Sequence, residues 1–82
     1  MSDFEKRKLD SDFKRFTTKN FERPGDCRNI DQIRFYVQEL CAKIEEYECR
    51  FNYVPQWAYA LLAQYNIAHN SLLHSSFRAA YA

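Results

Sequence analysis

The sequence contains very few turn-forming residues: one glycine, Gly25, and two prolines, Pro24 and Pro55, in 82 residues. An all-β fold needs a tight turn about every 8–12 residues, usually built on Gly, Asn-Gly or Pro. A phosphate-binding loop needs several glycines within a few positions. The composition therefore favours helices, and it excludes a sandwich or barrel as well as a glycine-rich nucleotide site.

The sequence also lacks a cysteine pattern that could form a disulfide or bind a metal. Cys27, Cys41 and Cys49 include no C-x-x-C pair. Cys41 and Cys49 lie eight residues apart on one predicted helix, about 12 Å along its axis, which is too far for a disulfide. His69 and His74 are five residues apart and do not share a helix face. We expect free thiols, no metal and no other cofactor, as in a cytoplasmic protein.

No long apolar run is present. No window approaches the 18 or so apolar residues that cross a bilayer, and the apolar stretch of a signal peptide does not follow the basic cluster at residues 6–8. Hydrophobic residues nevertheless make up 46% of the chain and aromatics 17%, with a net charge of +1. This composition is too apolar for intrinsic disorder. We expect one cytoplasmic domain over residues 1–82, without membrane contact and of marginal stability by itself.

The sequence predicts three helices, at about 3–16, 29–52 and 55–81. Ser2 and Glu5 fit a capping box before the first helix, and Asn29 can cap the second. Pro55 ends the second helix and suits the first position of the third, which we predict to be either continuous or broken near residue 70. Apolar residues of the second helix recur in 3,4 alternation at Ile30, Ile33, Val37, Leu40, Ile44, Tyr47, Phe51 and Val54.

The short link between the second and third helices predicts an antiparallel αα-hairpin. We therefore expect an all-α fold: a small helical bundle built on a hairpin over residues 29–82, with residues 1–28 forming a charged N-terminal helix and a connector. A second stripe of Phe35, Ala42 and Cys49 recurs every seven residues on the far side of the second helix. Such a small domain often completes its core by association. We expect the stripe to be covered by a second chain in a homodimer or by the N-terminal residues Phe4, Phe13 and Phe16.

Formal charge is almost absent from the last part of the chain, since Arg78 carries the one formal charge of residues 51–82. Exposed helix faces normally carry Lys and Glu, whereas protein interfaces are depleted in them and enriched in aromatic residues. The alternative is that this helix is buried inside the bundle. We predict a partly exposed patch near the hairpin corner that docks a partner protein, formed by Tyr53, Gln56, Trp57 and Tyr59.

The N-terminal 28 residues are rich in charge of both signs, with eight Lys or Arg and six Asp or Glu. Basic residues among phenylalanines can bind single-stranded nucleic acid by phosphate contact and stacking. The six acids argue against this use, because nucleic-acid-binding surfaces are strongly basic overall. A solvated, salt-bridged helix face is the favoured interpretation. The candidate nucleic-acid contacts are Lys6, Arg7, Lys8, Lys14, Arg15 and Lys19.

The sequence predicts no catalytic residues. Cys41 and His69 could meet across the hairpin, but nothing in their spacing selects them, and nucleophilic catalysis also needs an orienting group. We expect a non-enzymatic interaction module: a small regulatory or inhibitory protein, in the style of bacterial or phage regulators, that binds another protein as a homodimer or as a subunit. The alternative is a small nucleic-acid-binding regulator that uses the N-terminal Lys, Arg and Phe residues.

Overall fold

The computed structural model describes the backbone of residues 2–81 and the side chains of residues 2–75. These residues form three α-helices, α1 (Asp3–Asn20), α2 (Ile30–Phe51) and α3 (Gln56–Tyr81), with a short 3₁₀ turn at Pro24–Asp26. The described part of the chain contains no strand. The all-α prediction is confirmed.

Helix α1 begins at its predicted cap and continues four residues beyond its predicted end. The Ser2 hydroxyl oxygen accepts a hydrogen bond from the Glu5 N–H at 3.2 Å. We predicted an end at residue 16 because Thr17 and Thr18 are weak helix formers. Thr17 is instead buried, and its hydroxyl donates to the Lys14 carbonyl oxygen at 3.0 Å. Burial of this side of α1 outweighs the local propensity of the sequence.

Helices α2 and α3 pack together and contribute most of the core. The α2 side of this core follows the predicted alternation closely, with Tyr36 joining it and Val37 half-buried at its edge. Among the described side chains of α3, the buried hydrophobic residues are Ala58 and Tyr65. The buried side chains of α2 are Ile33, Tyr36, Leu40, Ile44 and Tyr47.

A tight link over residues 52–55 joins α2 to α3. Asn52 has left-handed backbone angles, φ 50° and ψ 38°, and its N–H donates to the Glu48 carbonyl at 3.1 Å. Asparagine tolerates this conformation better than most residues, so it can end the helix. Pro55 is buried, and its carbonyl accepts from the Ala58 N–H at 3.0 Å as the next helix begins. Helix α3 then runs without a break through residue 70.

Helix α1 docks on the other two helices mainly through Phe13, whose side chain is 0% exposed. The Phe13 ring packs edge-to-face on Tyr47 at 5.0 Å and on Trp57 at 5.4 Å between ring centroids. Two tyrosine hydroxyls add polar ties: Tyr53 donates to Asp10 at 2.6 Å, and Tyr65 donates to the Glu22 carbonyl oxygen. Burial raises the pKa of Tyr65 to about 12. These contacts hold the middle of α1 and the connector that follows it against the helix pair.

Candidate interaction surface

The four residues of the predicted corner patch lie together at the link and first turn of α3, but they differ in exposure. Gln56 and Tyr59 are exposed, whereas Tyr53 and Trp57 are half-buried. Trp57 packs against Phe13, and the Tyr53 hydroxyl is used in its bond to α1. Half of the patch therefore holds α1 in place, and the other half faces solvent. The role of the patch in docking stays a prediction.

Tyr59 is exposed and yet fixed in orientation. Its side chain is 47% exposed, while its hydroxyl donates to Oε1 of Glu48 on α2 at 2.6 Å. This bond raises the pKa of the Tyr59 hydroxyl. Hydrogen bonds to a carboxylate are short and comparatively strong. The bond holds the ring in place, so a partner that contacts it loses less side-chain entropy on binding.

The exposed face of α3 continues beyond the corner patch along the helix. Every exposed α3 side chain from Gln56 to Ser75 lacks a formal charge. Ile67 is 68% exposed and Leu73 is 45% exposed. Arg78, the one charged residue of this region, lies outside the described side chains. The result is a charge-free face with exposed hydrophobic residues at several turns of α3.

The sequence predicted the corner of this face but not its extension along α3. Tyr59, Ala63 and Ile67 follow one another at intervals of four residues, so they share one side of α3. This side lies away from the core positions Ala58 and Tyr65. The four-residue spacing was visible in the sequence. Apolar residues occur on both of these sides of α3, and the packing of the helix decides which side is buried.

The stripe on the far side of α2 is open in the single chain. Phe35 is 54% exposed, and Ala42 and Cys49 are also exposed. The N-terminal segment does not cover this stripe, so that expectation is wrong. Phe13 is instead drawn into the core by its aromatic contacts with Tyr47 and Trp57. A second chain as the cover stays a prediction.

The intervening positions on the same side of α2 are polar. Asp31, Gln38 and Glu45 alternate with the members of the stripe and are exposed. A coiled-coil seam needs apolar residues at both of its heptad positions. The stripe supplies only one of the two, which makes it a weaker candidate interface than the charge-free face of α3.

All six basic candidates on α1 are exposed, and none forms a salt bridge with a described residue. Lys6 faces the corner, with its Nζ 5.9 Å from the centroid of the Tyr53 ring. The described ion pairs instead lie on α2, where Lys43 and Arg50 both contact Glu46 at 3.2 Å. Hydrogen bonds from these two cations lower the pKa of Glu46. The salt-bridged face that we expected on α1 is thus absent from the described contacts.

The residue types that could support catalysis or metal binding do not converge. Nε2 of His69 accepts from Nε of Arg34 at 3.4 Å, and Arg34 lies seven residues, or about 10 Å along the helix, from Cys41. All three cysteines are free, and burial raises the pKa of the Cys27 thiol. Over the described residues, no group of three His, Cys, Asp or Glu side chains could hold a metal ion.

Two further observations bear on the class of protein. Within the part of the chain that the structure describes, no helix combines the length and the apolar character needed to cross a membrane. No protein-family model matches the sequence, and no curated protein or solved structure is significantly similar to it.

Proposed function

We propose that this chain is a non-enzymatic interaction module, a small regulatory or inhibitory protein that binds another protein through the charge-free face of α3. One observation carries the proposal: from Gln56 to Ser75, every exposed side chain lacks a formal charge, while Tyr59, Ile67 and Leu73 remain 45–68% exposed. Interfaces between proteins replace charged residues with aromatic and aliphatic anchors. A helix face that only meets solvent normally carries charged and polar residues.

The proposal includes an antiparallel αα-hairpin of α2 and α3 as the rigid support of this face. Two side-chain bonds at different heights favour it: Tyr59 with Glu48 near the link, and His69 with Arg34 toward the start of α2. Because the helix pair is braced along its length, its outer face keeps one shape before and after binding. Preorganisation of this kind lowers the entropic cost of association.

Tyr59 and Ile67 are the proposed anchors. Large exposed side chains at interface centres contribute most of the binding energy. Tyr59→Ala should weaken a partner by roughly 5- to 30-fold, and in the isolated protein it should cost only the exposed hydrogen bond to Glu48, a small loss of stability. A large loss of thermal stability in Tyr59→Ala would instead identify this residue as part of the core and would contradict its role as an anchor.

A capture experiment with a matched control tests the proposal. Tagged wild type, Ile67→Asp and Phe35→Asp are used to capture proteins from the native host, followed by quantitative mass spectrometry. Both variants place a carboxylate at an exposed hydrophobic position, one on α3 and one on the far side of α2. A partner retained by Phe35→Asp and lost from Ile67→Asp supports the proposal. Equal retention by both variants refutes it.

Self-association through the same face is the homodimer form of this proposal. Sedimentation velocity of the same three proteins distinguishes the two possible dimer surfaces. A wild-type dimer that Ile67→Asp dissociates uses α3, and one that only Phe35→Asp dissociates uses the stripe of Phe35, Ala42 and Cys49. A monomer at all concentrations excludes the homodimer and leaves binding to a different protein.

A further inference from the structure

The charged residues of α1 are sorted by the side of the helix on which they lie. The position of each residue around the helix axis can be measured from buried Phe13, with a rotation of about 100° per residue. The arc of α1 between about 100° and about 240° from Phe13 is called the basic face. All four acids of α1 lie outside this arc: Asp3, Glu5, Asp10 and Asp12. Five of the six cations of α1 lie within it: Arg7, Lys8, Lys14, Arg15 and Lys19.

The acids of α1 have positions that the fold explains. Asp10 is half-buried and accepts the hydrogen bond of the Tyr53 hydroxyl at 2.6 Å. Glu5 and Asp12 border a groove that they share with Lys8, Leu9 and Phe51. Asp3 lies in the first turn, where its negative charge interacts favourably with the helix dipole. The acids that argued against a polyanion site in the sequence therefore flank the basic face without lying on it.

The uncharged residues of the basic face add two kinds of contact. Phe4 is 77% exposed, and Ser11 and Thr18 are exposed hydroxyl residues. Lys, Arg, Ser and Thr are among the side chains that donate hydrogen bonds to phosphate oxygens. An exposed aromatic ring can stack on an unpaired base. From Phe4 to Lys19 the face extends for about 22 Å along the helix.

We infer that the basic face of α1 binds the sugar–phosphate backbone of a single-stranded nucleic acid, with Phe4 stacking on one base. This function is independent of the protein-binding face on α3. Charge complementarity selects a polyanion, since five cations share a side of α1 with no carboxylate and none of them is engaged in a described salt bridge. The exposed ring at one end selects unpaired bases over a duplex, in which the bases are already stacked.

Three other partners fit the structure less well. Helices that lie on membranes immerse a broad apolar side in the lipid, whereas the apolar side of α1 is occupied by the contacts of Phe13 with Tyr47 and Trp57. Interfaces with acidic proteins are depleted in lysine, and three of the five cations on this face are lysines. A second copy of the chain offers no purely acidic helix, since α1 and α2 both carry charges of both signs.

Fluorescence anisotropy with a labelled 12-nucleotide oligo-dT tests the inference on the full chain. The double variant Arg15→Gln/Lys19→Gln removes two charges from the basic face, and Arg34→Gln/Arg50→Gln removes two from α2, so the net charge is equal. We expect the first variant to bind at least about fivefold more weakly and the second to stay within about twofold of wild type. Circular dichroism confirms that each variant is folded.

Salt and stacking provide two further readouts. With about four phosphate contacts, raising the salt concentration fourfold should weaken binding by roughly 50-fold. Phe4→Ala should weaken binding by about fivefold or more if its ring stacks on a base. Equal losses in the two double variants, or no binding at 50 mM salt, overturns the inference. Tighter binding to phosphatidylserine vesicles than to the oligonucleotide overturns it too, as does salt-sensitive self-association that excludes the oligonucleotide.

Discussion

Replacing Phe13 with alanine tests whether one side chain holds the N-terminal helix to the rest of the protein. Phe13 is 0% exposed and makes edge-to-face contacts with Tyr47 and Trp57. Truncation of a buried phenylalanine costs about 3–5 kcal/mol, which includes the two aromatic pairs at roughly 0.5–1.5 kcal/mol each. We expect Phe13→Ala to lower the free energy of unfolding by about 4 kcal/mol. A domain of this size has only about 4–12 kcal/mol in total, so the variant should be close to unfolding.

Phe4→Ala is the matched control, because it removes the same side chain from the same helix at a position that is 77% exposed. It should change the free energy of unfolding by less than about 0.5 kcal/mol. Urea denaturation followed by circular dichroism measures both variants. In thermal unfolding, Phe13→Ala should melt about 15–30 °C below wild type.

Fluorescence of the one tryptophan, Trp57, reports separately on the docking of α1. The Trp57 ring is half-buried against Phe13 at 5.4 Å between centroids. Loss of that contact should expose the indole and shift its emission to longer wavelength. Equal stability losses in Phe13→Ala and Phe4→Ala, or an unchanged emission spectrum in Phe13→Ala, would refute the assignment of Phe13 as the docking residue of α1.

Three further predictions concern the polar ties and the link. Tyr65→Phe should cost about 1 kcal/mol by removing the donor to the Glu22 carbonyl. The pKa of Tyr65 is raised to about 12 in the folded state. The stability that depends on its protonated hydroxyl is therefore complete below pH 10 and is lost as the pH rises toward 12. Urea titrations at pH 9 and pH 11 should show that the unfolding free energy of Tyr65→Phe depends less on pH than that of wild type. A double-mutant cycle of Tyr53→Phe and Asp10→Asn should give a coupling energy of about 1 kcal/mol, and strictly additive losses would contradict their hydrogen bond. Since Asn52 has φ 50°, Asn52→Gly should keep or slightly raise the thermal midpoint while Asn52→Ala lowers the unfolding free energy by about 1 kcal/mol; equal effects would contradict the left-handed cap.

The sequence by itself determined the helices, because their signals are local. Ser2 and Asn29 cap α1 and α2 as predicted, through hydrogen bonds to N–H groups two or three residues away. Pro55 separates α2 from α3, since its ring acts on its immediate neighbours. The buried side of α2 was predictable for the same reason, as a 3,4 alternation of apolar residues defines one side of a helix without reference to a partner.

The exposure of the predicted corner patch depends in part on contacts between segments that are distant in the sequence. Tyr59 and Gln56 are exposed as expected, but the exposed surface extends to Ile67, and Tyr53 is tied to Asp10, 43 residues earlier in the chain. A contact across that separation has no signature in the sequence of either segment. Composition could indicate a charge-poor surface on α3, and only the packing of α2 and α1 against α3 decided which of its side chains form that surface.

For α1 and α3, the tertiary structure alone decided which side of the helix faces solvent. Phe4 and Phe13 belong to one helix, and yet the first is 77% exposed and the second 0%, because only Phe13 meets Tyr47 and Trp57. The same docking turns Asp10 toward Tyr53 and leaves five of the six cations of α1 on the basic face. The net charge and the apolar periodicity of a helix are properties of its own segment of the sequence. Exposure depends on which other segments cover that one, and this is settled by contacts between residues far apart in the chain.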